Sequence, residues 1–303
     1  MSTEGGMRAV LAALIANLGI AISKFVAFVI TGSTSMLSEA IHSTADSLNQ
    51  VLLLVGSKKS QRKADDKFQF GYGRLRYVYG FVVAIVLFIV GGSYSLYEGW
   101  HKVHNPHPVD HVVIAIGVLV VAIVLEAFSF RTAIIEANKA RGHRTMGQFI
   151  RDAREPELPV ILLEDFGALI GLVLALVGVI LAHVTHDGRW DGLGAIAIGL
   201  LLIVIAIVLV REMASMLIGE SALPEEEQAV RKALESAPLV ERIIHLRTLH
   251  VGPEALLVAV KIAISPDRTS LEIVQGIDQA EAILRKAVPN AEYVFIEPDH
   301  FRE

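Results

Sequence analysis

The chain has no cysteine among its 303 residues. Disulfides, thiolate metal sites and thiol catalysis are therefore excluded, and any metal must be held by His, Asp, Glu, carbonyl oxygen or water. That donor set leans away from Cu(I), which prefers sulfur. Charge is scarce as well. Asp, Glu, Lys and Arg make up 19% of the sequence, against about 25% in an ordinary soluble domain. A net charge of −5 leaves no basic footprint, so no nucleic-acid partner is expected. The short acidic stretch before residue 7 reads neither as a cleaved signal nor as an Arg-rich transit peptide. No ATP-binding motif and no His-Glu-x-x-His motif occurs, which argues against an ATP-driven pump and against an intramembrane zinc hydrolase.

What the sequence does contain is apolar length. Apolar residues make up 53% of it and concentrate in the first two thirds. A helix needs about 20 mostly apolar residues to cross a ~30 Å hydrocarbon core. Six stretches qualify, over residues 7–30, 35–56, 77–100, 111–136, 158–184 and 192–218. The expected architecture is an all-α six-helix transmembrane domain over residues 1–220, followed by a soluble α+β tail over 221–303. Lys58, Lys59, Arg62, Lys63, Lys67, Arg74 and Arg76 lie between the second and third spans, and Lys139, Arg141, Arg144, Arg151 and Arg154 between the fourth and fifth. The opposite loops carry only Lys102 and Arg189. Because cytoplasmic loops collect Lys and Arg, both basic loops and both termini are expected in the cytoplasm, with the protein in the cell membrane. In the tail, Pro224-Glu225-Glu226-Glu227 opens a helix with acids at the positive end of its dipole. Strand-like runs at 243–251 and 255–264, a helix at 270–287 and a strand at 293–297 complete an α-β-β-α-β order. That order predicts a small ferredoxin-like domain.

Ionisable groups inside hydrocarbon are costly, so those that occur there are functional candidates. The second span contains Ser38-Glu39-Ala40-Ile41-His42-Ser43-Thr44-Ala45-Asp46. His42 and Asp46 are four residues apart and share a helix face. An imidazole and a carboxylate so placed can fill two corners of a tetrahedral Zn2+ site; they can equally be a hydrogen-bonded pair that packs helices. The fifth span carries Glu164-Asp165 between apolar runs. If the second and fifth spans meet, His42, Asp46 and one or both acids form a three- or four-ligand site. Asn17 and Lys24 on the first span and Glu126 on the fourth could line a water path, with Lys24 equally able to snorkel or to pair with an acid. His101, His104, His107 and His111 read first as a solvated loop and second as a metal trap, and His245, His250 and His300 in the tail as lesser candidates for metal binding.

These features, in this order, resemble the cation diffusion facilitator family along nearly the whole chain. The resemblance rests on Ser38-x3-His42-x3-Asp46, on Phe70-Gly71-Tyr72-Gly73-Arg74 before the third span, and on Trp190-Asp191-Gly192 entering the sixth. Glu220-Ser221-Ala222-Leu223-Pro224 before the tail and His245-Leu246-Arg247-Thr248 within it add to it. It implies a homodimeric, proton-coupled exporter of divalent metal, with the transported ion bound between the second and fifth spans and no resident cofactor. It also implies an inter-subunit charge interlock at Arg74 and Glu220. Zinc members usually carry two His/Asp pairs, whereas here Ile161 and Val160 stand where the second His would precede Asp165 or Glu164. The expected ligands are therefore His42, Asp46, Glu164 and Asp165. Zn2+ is the first expected cargo; Mn2+ or Fe2+ are alternatives that an oxygen-rich site suits, and Co2+ one that the retained His42 allows. A metal sensor that binds without transporting is the competing reading. In the loop after the second span, Phe68 and Tyr72 replace the histidines of some members, leaving Asp65 or Asp66. The final strand, Phe295-Ile296-Glu297, has no His, so the tail reads first as a dimerisation module.

Overall fold

The structure is a computed structural model that describes residues 18–300. Two compact units emerge: one reaches to Ser57 and resumes over Val78–Met213, and the other combines Lys58–Tyr77 with the chain from Ala214 onward.

The first unit is helical. Its elements are α1 (Leu18–Thr31), α2 (Thr34–Ser60), α3 (Leu75–His104), α4 (Val112–Arg141), α5 (Met146–Asp152), α6 (Glu157–Thr185) and α7 (Arg189–Ile218). The expected first span begins before the described residues, as does Asn17; its described part is α1. Helices α3, α4, α6 and α7 are each long and apolar enough to cross a membrane. α2 coincides with the second expected span but spends much of its length on Glu39, His42, Asp46 and Asn49 and ends on Lys58 and Lys59. Polar side chains cost it the apolar content of its neighbours while its buried face keeps it in the bundle.

The packing is that of a protein solvated by lipid. Met36, Val83, Leu87, Leu119, Leu172, Ile198, Leu202 and Leu209 fill the interior. Large apolar side chains also point outward, among them Val29, Val113, Val121, Phe128, Val184 and Val204. So much exposed apolar surface marks a membrane-facing protein. Where lipid offers no hydrophobic drive for helices to associate, close backbone approach does the work. A Cβ placed on Gly99 would lie 2.6 Å from the Gly192 carbonyl oxygen, and one on Gly199 would lie 2.8 Å from that of Gly92, so α3 and α7 touch backbone to backbone. Within α3, Leu87–Ser93 winds as a π-helix. The wider turn sets Gly91 and Gly92 both against α7, on Leu202 and Ile203. The short α5 has no counterpart among the expected elements. It starts at a capping box, with Thr145 and Gln148 satisfying each other's backbone N–H, and buries Phe149 beside Ala137 and Leu162.

In the second unit the chain runs α8 (Pro224–Glu235), β1 (Arg242–Gly252), β2 (Ala255–Ala263), α9 (Ser270–Ala287) and β3 (Ala291–Asp299). β1 and β2 form an antiparallel hairpin, and β3 returns parallel to β2 after the α9 crossover, in the order β1-β2-β3. Alternate residues of a strand face one side. Leu256, Val258, Val260 and Ile262 of β2 accordingly pack on Val230 and Leu234 of α8 and Leu284 of α9. This is the expected ferredoxin-like α-β-β-α-β layer pair.

The Phe70-Gly71-Tyr72-Gly73-Arg74 segment belongs to this second unit. Phe70 meets Tyr293 edge-on at 5.1 Å. A Cβ on Gly73 would lie 2.8 Å from Gly252 Cα, so only glycine lets this loop close on the β1–β2 turn.

Candidate metal-binding site

α2 carries the polar ladder. His42 is fully buried, with Nδ1 3.5 Å from Asp46 Oδ1 one helical turn away. Neither ring nitrogen of His42 has a hydrogen-bond partner among the described residues, nor do Asp46 Oδ1, Glu39 Oε1 and Ser38 Oγ. Buried polar atoms are normally satisfied. A row of open lone pairs on one helix face is capacity for a ligand.

α6 brings the acids opposite. Successive helical residues point about 100° apart, and the two acids diverge accordingly. Glu164 turns to α2, where Asn49 Nδ2 donates to its Oε1 at 2.6 Å. Asp165 turns to α4, where Ser129 Oγ donates to its Oδ2 at 2.8 Å. Asp46, Glu164 and Asp165 line one cavity of about 60 Å³ together with Glu126, Ser43, Gln50 and Ile161. Such a space admits only a few water-sized groups. The structure thus draws three of the four expected ligands to one cavity and sets the fourth, His42, beside it against Asp46. In this conformation no three His, Asp or Glu side chains among the described residues converge closely enough to enclose an ion. Glu126, an acid in an apolar run, was visible as a water-path candidate. Asn49, Gln50 and Ser129 were not, because neutral polar residues on a helix carry no signal of what they face.

The end of this unit that carries the short connections is sealed. Asp191 is fully buried and accepts from Ser33 Oγ and the Thr34 N–H, both at 2.7 Å, and from the Ser35 N–H at 3.3 Å. A carboxylate there completes the open N–H groups of α2 and matches the positive end of its dipole. Buried Lys102 lies 3.7 Å from the same carboxylate and donates to the Gly32 carbonyl at 3.2 Å.

The other candidates serve local structure. Asp65 accepts from Tyr72 Oη at 2.6 Å and from the Phe68 and Lys67 N–H groups, which holds its carboxyl below the usual range and builds the loop. His104 and His107 use ring nitrogens on the Trp100 and Asn105 carbonyls. Arg74 Nη2 donates to the His250 carbonyl at 3.4 Å, while the His250 N–H donates to the Glu220 carbonyl at 2.9 Å, so within one protomer both expected interlock residues meet the backbone of His250. A cavity of about 590 Å³ in this second unit is walled by Arg62, Arg76, Tyr72, Pro253 and Tyr293, and none of the expected ligands reaches it.

Glu226 links α8 to the sheet. The His250 imidazole lies 3.6 Å from it, and the Leu223 N–H and Asn290 amide donate to it at 3.0 and 2.8 Å; together they hold its carboxyl down at about 2. A depressed carboxyl stabilises the fold fully above its ordinary value and loses that contribution as pH falls through the folded value. The tail is therefore expected to lose thermal stability as pH drops from 4.5 towards 2, and Glu226→Gln should flatten that part of the melting profile. An unchanged profile in the variant would remove Glu226 from this role.

Residues 10–218 match the cation efflux transmembrane domain, and residues 222–301 match the cytoplasmic domain of cation efflux proteins. The proton-coupled zinc antiporter SLC30A9, mitochondrial, of Mus musculus is 32% identical over 231 residues, 76% of this chain and 41% of its own length. Metal tolerance protein C4 of Arabidopsis thaliana is 26% identical over 84% of this chain and 56% of its own. This chain thus spans only about half or less of these two relatives. Magnetosome protein MamB of Magnetospira sp. (strain QH-2) is 25% identical over 92% of this chain and 88% of its own. Among solved structures, a nickel form of the MamM C-terminal domain covers 26% of this chain and all of its own at 19% identity and a TM-score of 0.25. The transmembrane match covers well over half of the residues, and this multi-pass membrane protein belongs to the cation diffusion facilitator family.

Proposed function

We propose that this protein exports divalent metal cations from the cytoplasm in exchange for protons, with Zn2+ as its principal cargo. The observation that carries the reading is the cavity where Asp46 of α2 meets Glu164 and Asp165 of α6, beside the buried His42, whose ring nitrogens have no hydrogen-bond partner among the described residues. Several carboxylates facing a small membrane cavity repel one another unless a cation or protons neutralise them. The same groups bind a divalent ion only when deprotonated, so loading the ion releases protons and protons displace it. The ion enters from the side of the basic loops, binds His42, Asp46, Asp165 and Glu164, and leaves when the bundle rocks and opens the end now sealed by Asp191 and Lys102.

Ile161 lines the cavity at the place where a second histidine would stand. One nitrogen donor among carboxylates relaxes the preference for Zn2+ and admits Mn2+, Co2+ or Fe2+. The tail, which matches the family's cytoplasmic domain, pairs two protomers, with Arg74 and Glu220 as the charge interlock between them. The protein resides in the cell membrane with its basic loops and both termini in the cytoplasm.

Reconstituted vesicles with an acidic lumen test this. Zinc is expected to accumulate only while the proton gradient stands, and Mn2+, Co2+ and Fe2+ should each compete for uptake. Stoichiometric zinc binding without gradient-driven accumulation would instead identify a sensor.

A further inference from the structure

Lys24 of α1 is 1% exposed and Glu39 of α2 is fully buried, and the two form an ion pair at 3.1 Å inside the helical unit. Lys24 Nζ also donates to Ser43 Oγ at 2.7 Å. Ser43 lines the acidic cavity. The ammonium thus stands between Glu39 and the cavity wall. A desolvated pair of this kind is expensive, and apolar residues would pack the same space without the cost. Its position along α2 indicates its use. From Asp46 the helix climbs one turn to His42 and three residues further to Glu39, towards the sealed end at Thr34; each step rises about 5 Å. Polar atoms without a hydrogen-bond partner among the described residues run the whole way, on Asp46 Oδ1, the His42 ring and Glu39 Oε1. α6 packs closely on the last of these, since a Cβ on Gly171 would lie 2.5 Å from Glu39 Oε1 and only glycine admits the carboxylate there.

We propose that Glu39 is a second cation station on the outward side of the cavity, and that the Lys24 ammonium occupies it in the conformation seen here. The proposal rests on the export reading above. A divalent ion moving outward reaches Glu39 only when Lys24 leaves it, and the displaced ammonium swings past Ser43 towards Asp46 and Glu126. The exchange keeps the cavity carboxylates compensated after the ion departs. It also bars an outward step while Lys24 stays, because the ammonium repels an ion approaching from His42.

The initial rate of proton-driven zinc uptake, measured against zinc concentration with the full chain in vesicles, separates this from a structural ion pair. Lys24→Gln removes the competitor and frees Glu39, so KM is expected to fall by about tenfold, the scale of one unit charge a helical turn away. Turnover should fall too, because the ion is released slowly. Glu39→Gln leaves the ammonium unpaired beside the site, and KM should rise by about the same factor. A pair that merely holds α1 to α2 would shift both neutral variants in the same direction. Shifts of one sign, or no shift in either, overturn the proposal while leaving wild-type export intact. If a single variant fails to fold, Lys24→Gln/Glu39→Gln decides: lost turnover at a nearly unchanged KM supports the exchange, and wild-type turnover overturns it. A wild type that accumulates no metal overturns the export reading and this proposal together.

Discussion

Replacing His42 or Asp46 with alanine is expected to abolish zinc uptake into acid-loaded vesicles. Even outer partners of metal ligands cost about 10–100-fold in affinity when removed, so losing a direct ligand should cost more. The variants should still insert and run as folded protein in detergent. His42 gives up no hydrogen bond among the described residues, and the Asp46 oxygen facing it likewise has none to lose. Truncating each opens space beside a cavity that already exists. The measurement is radiolabelled zinc flux at matched protein content. Wild-type flux in either variant would mean that the ion does not pass this face of α2.

The acids of α6 should separate under conservative substitution. Asp165→Asn is expected to stop transport, whereas Glu164→Gln should retain part of it at a raised KM. Asp165 is fixed by Ser129 through one oxygen, which leaves the other for the cavity. Glu164 is drawn to α2 by Asn49 through Oε1. A glutamine oxygen can still accept that amide proton and hold α6 against α2, so the second substitution removes a charge but keeps the contact. Competitive uptake of Zn2+, Mn2+ and Co2+ by both variants reads the difference. Full activity in Asp165→Asn, or strict zinc selectivity in wild type, would show that other groups on α6 face the ion.

Much of this molecule is legible before any coordinates, and the reasons are local. Apolar length places the spans because hydrocarbon thickness is fixed. Helix α9 spans Ser270–Ala287, the stretch expected to be helical. β2 falls on the strand-like run expected at 255–264, with Leu256, Val258, Val260 and Ile262 inward. His42 and Asp46 are legible because their spacing is one turn, and Glu164-Asp165 because two acids interrupt an apolar run. What spacing cannot carry is pairing across the bundle. That Lys24 finds Glu39, Asn49 finds Glu164 and Ser129 finds Asp165 depends on how α1, α2, α4 and α6 rotate against one another. The burial of Asp191 under Ser33 and Ser35 belongs to the same class, since those residues lie far from it in sequence. The π-turn in α3 answers to glycine contacts with α7 rather than to any helix signal of its own.

Zinc K-edge absorption of the full chain loaded with a single equivalent of zinc most directly tests the claim that the cargo binds between α2 and α6. One nitrogen donor and otherwise oxygen donors are expected, at about 2.0–2.2 Å. In His42→Ala the nitrogen contribution should vanish. A coordination shell of two or more histidines, or one that His42→Ala leaves unchanged, would contradict the account.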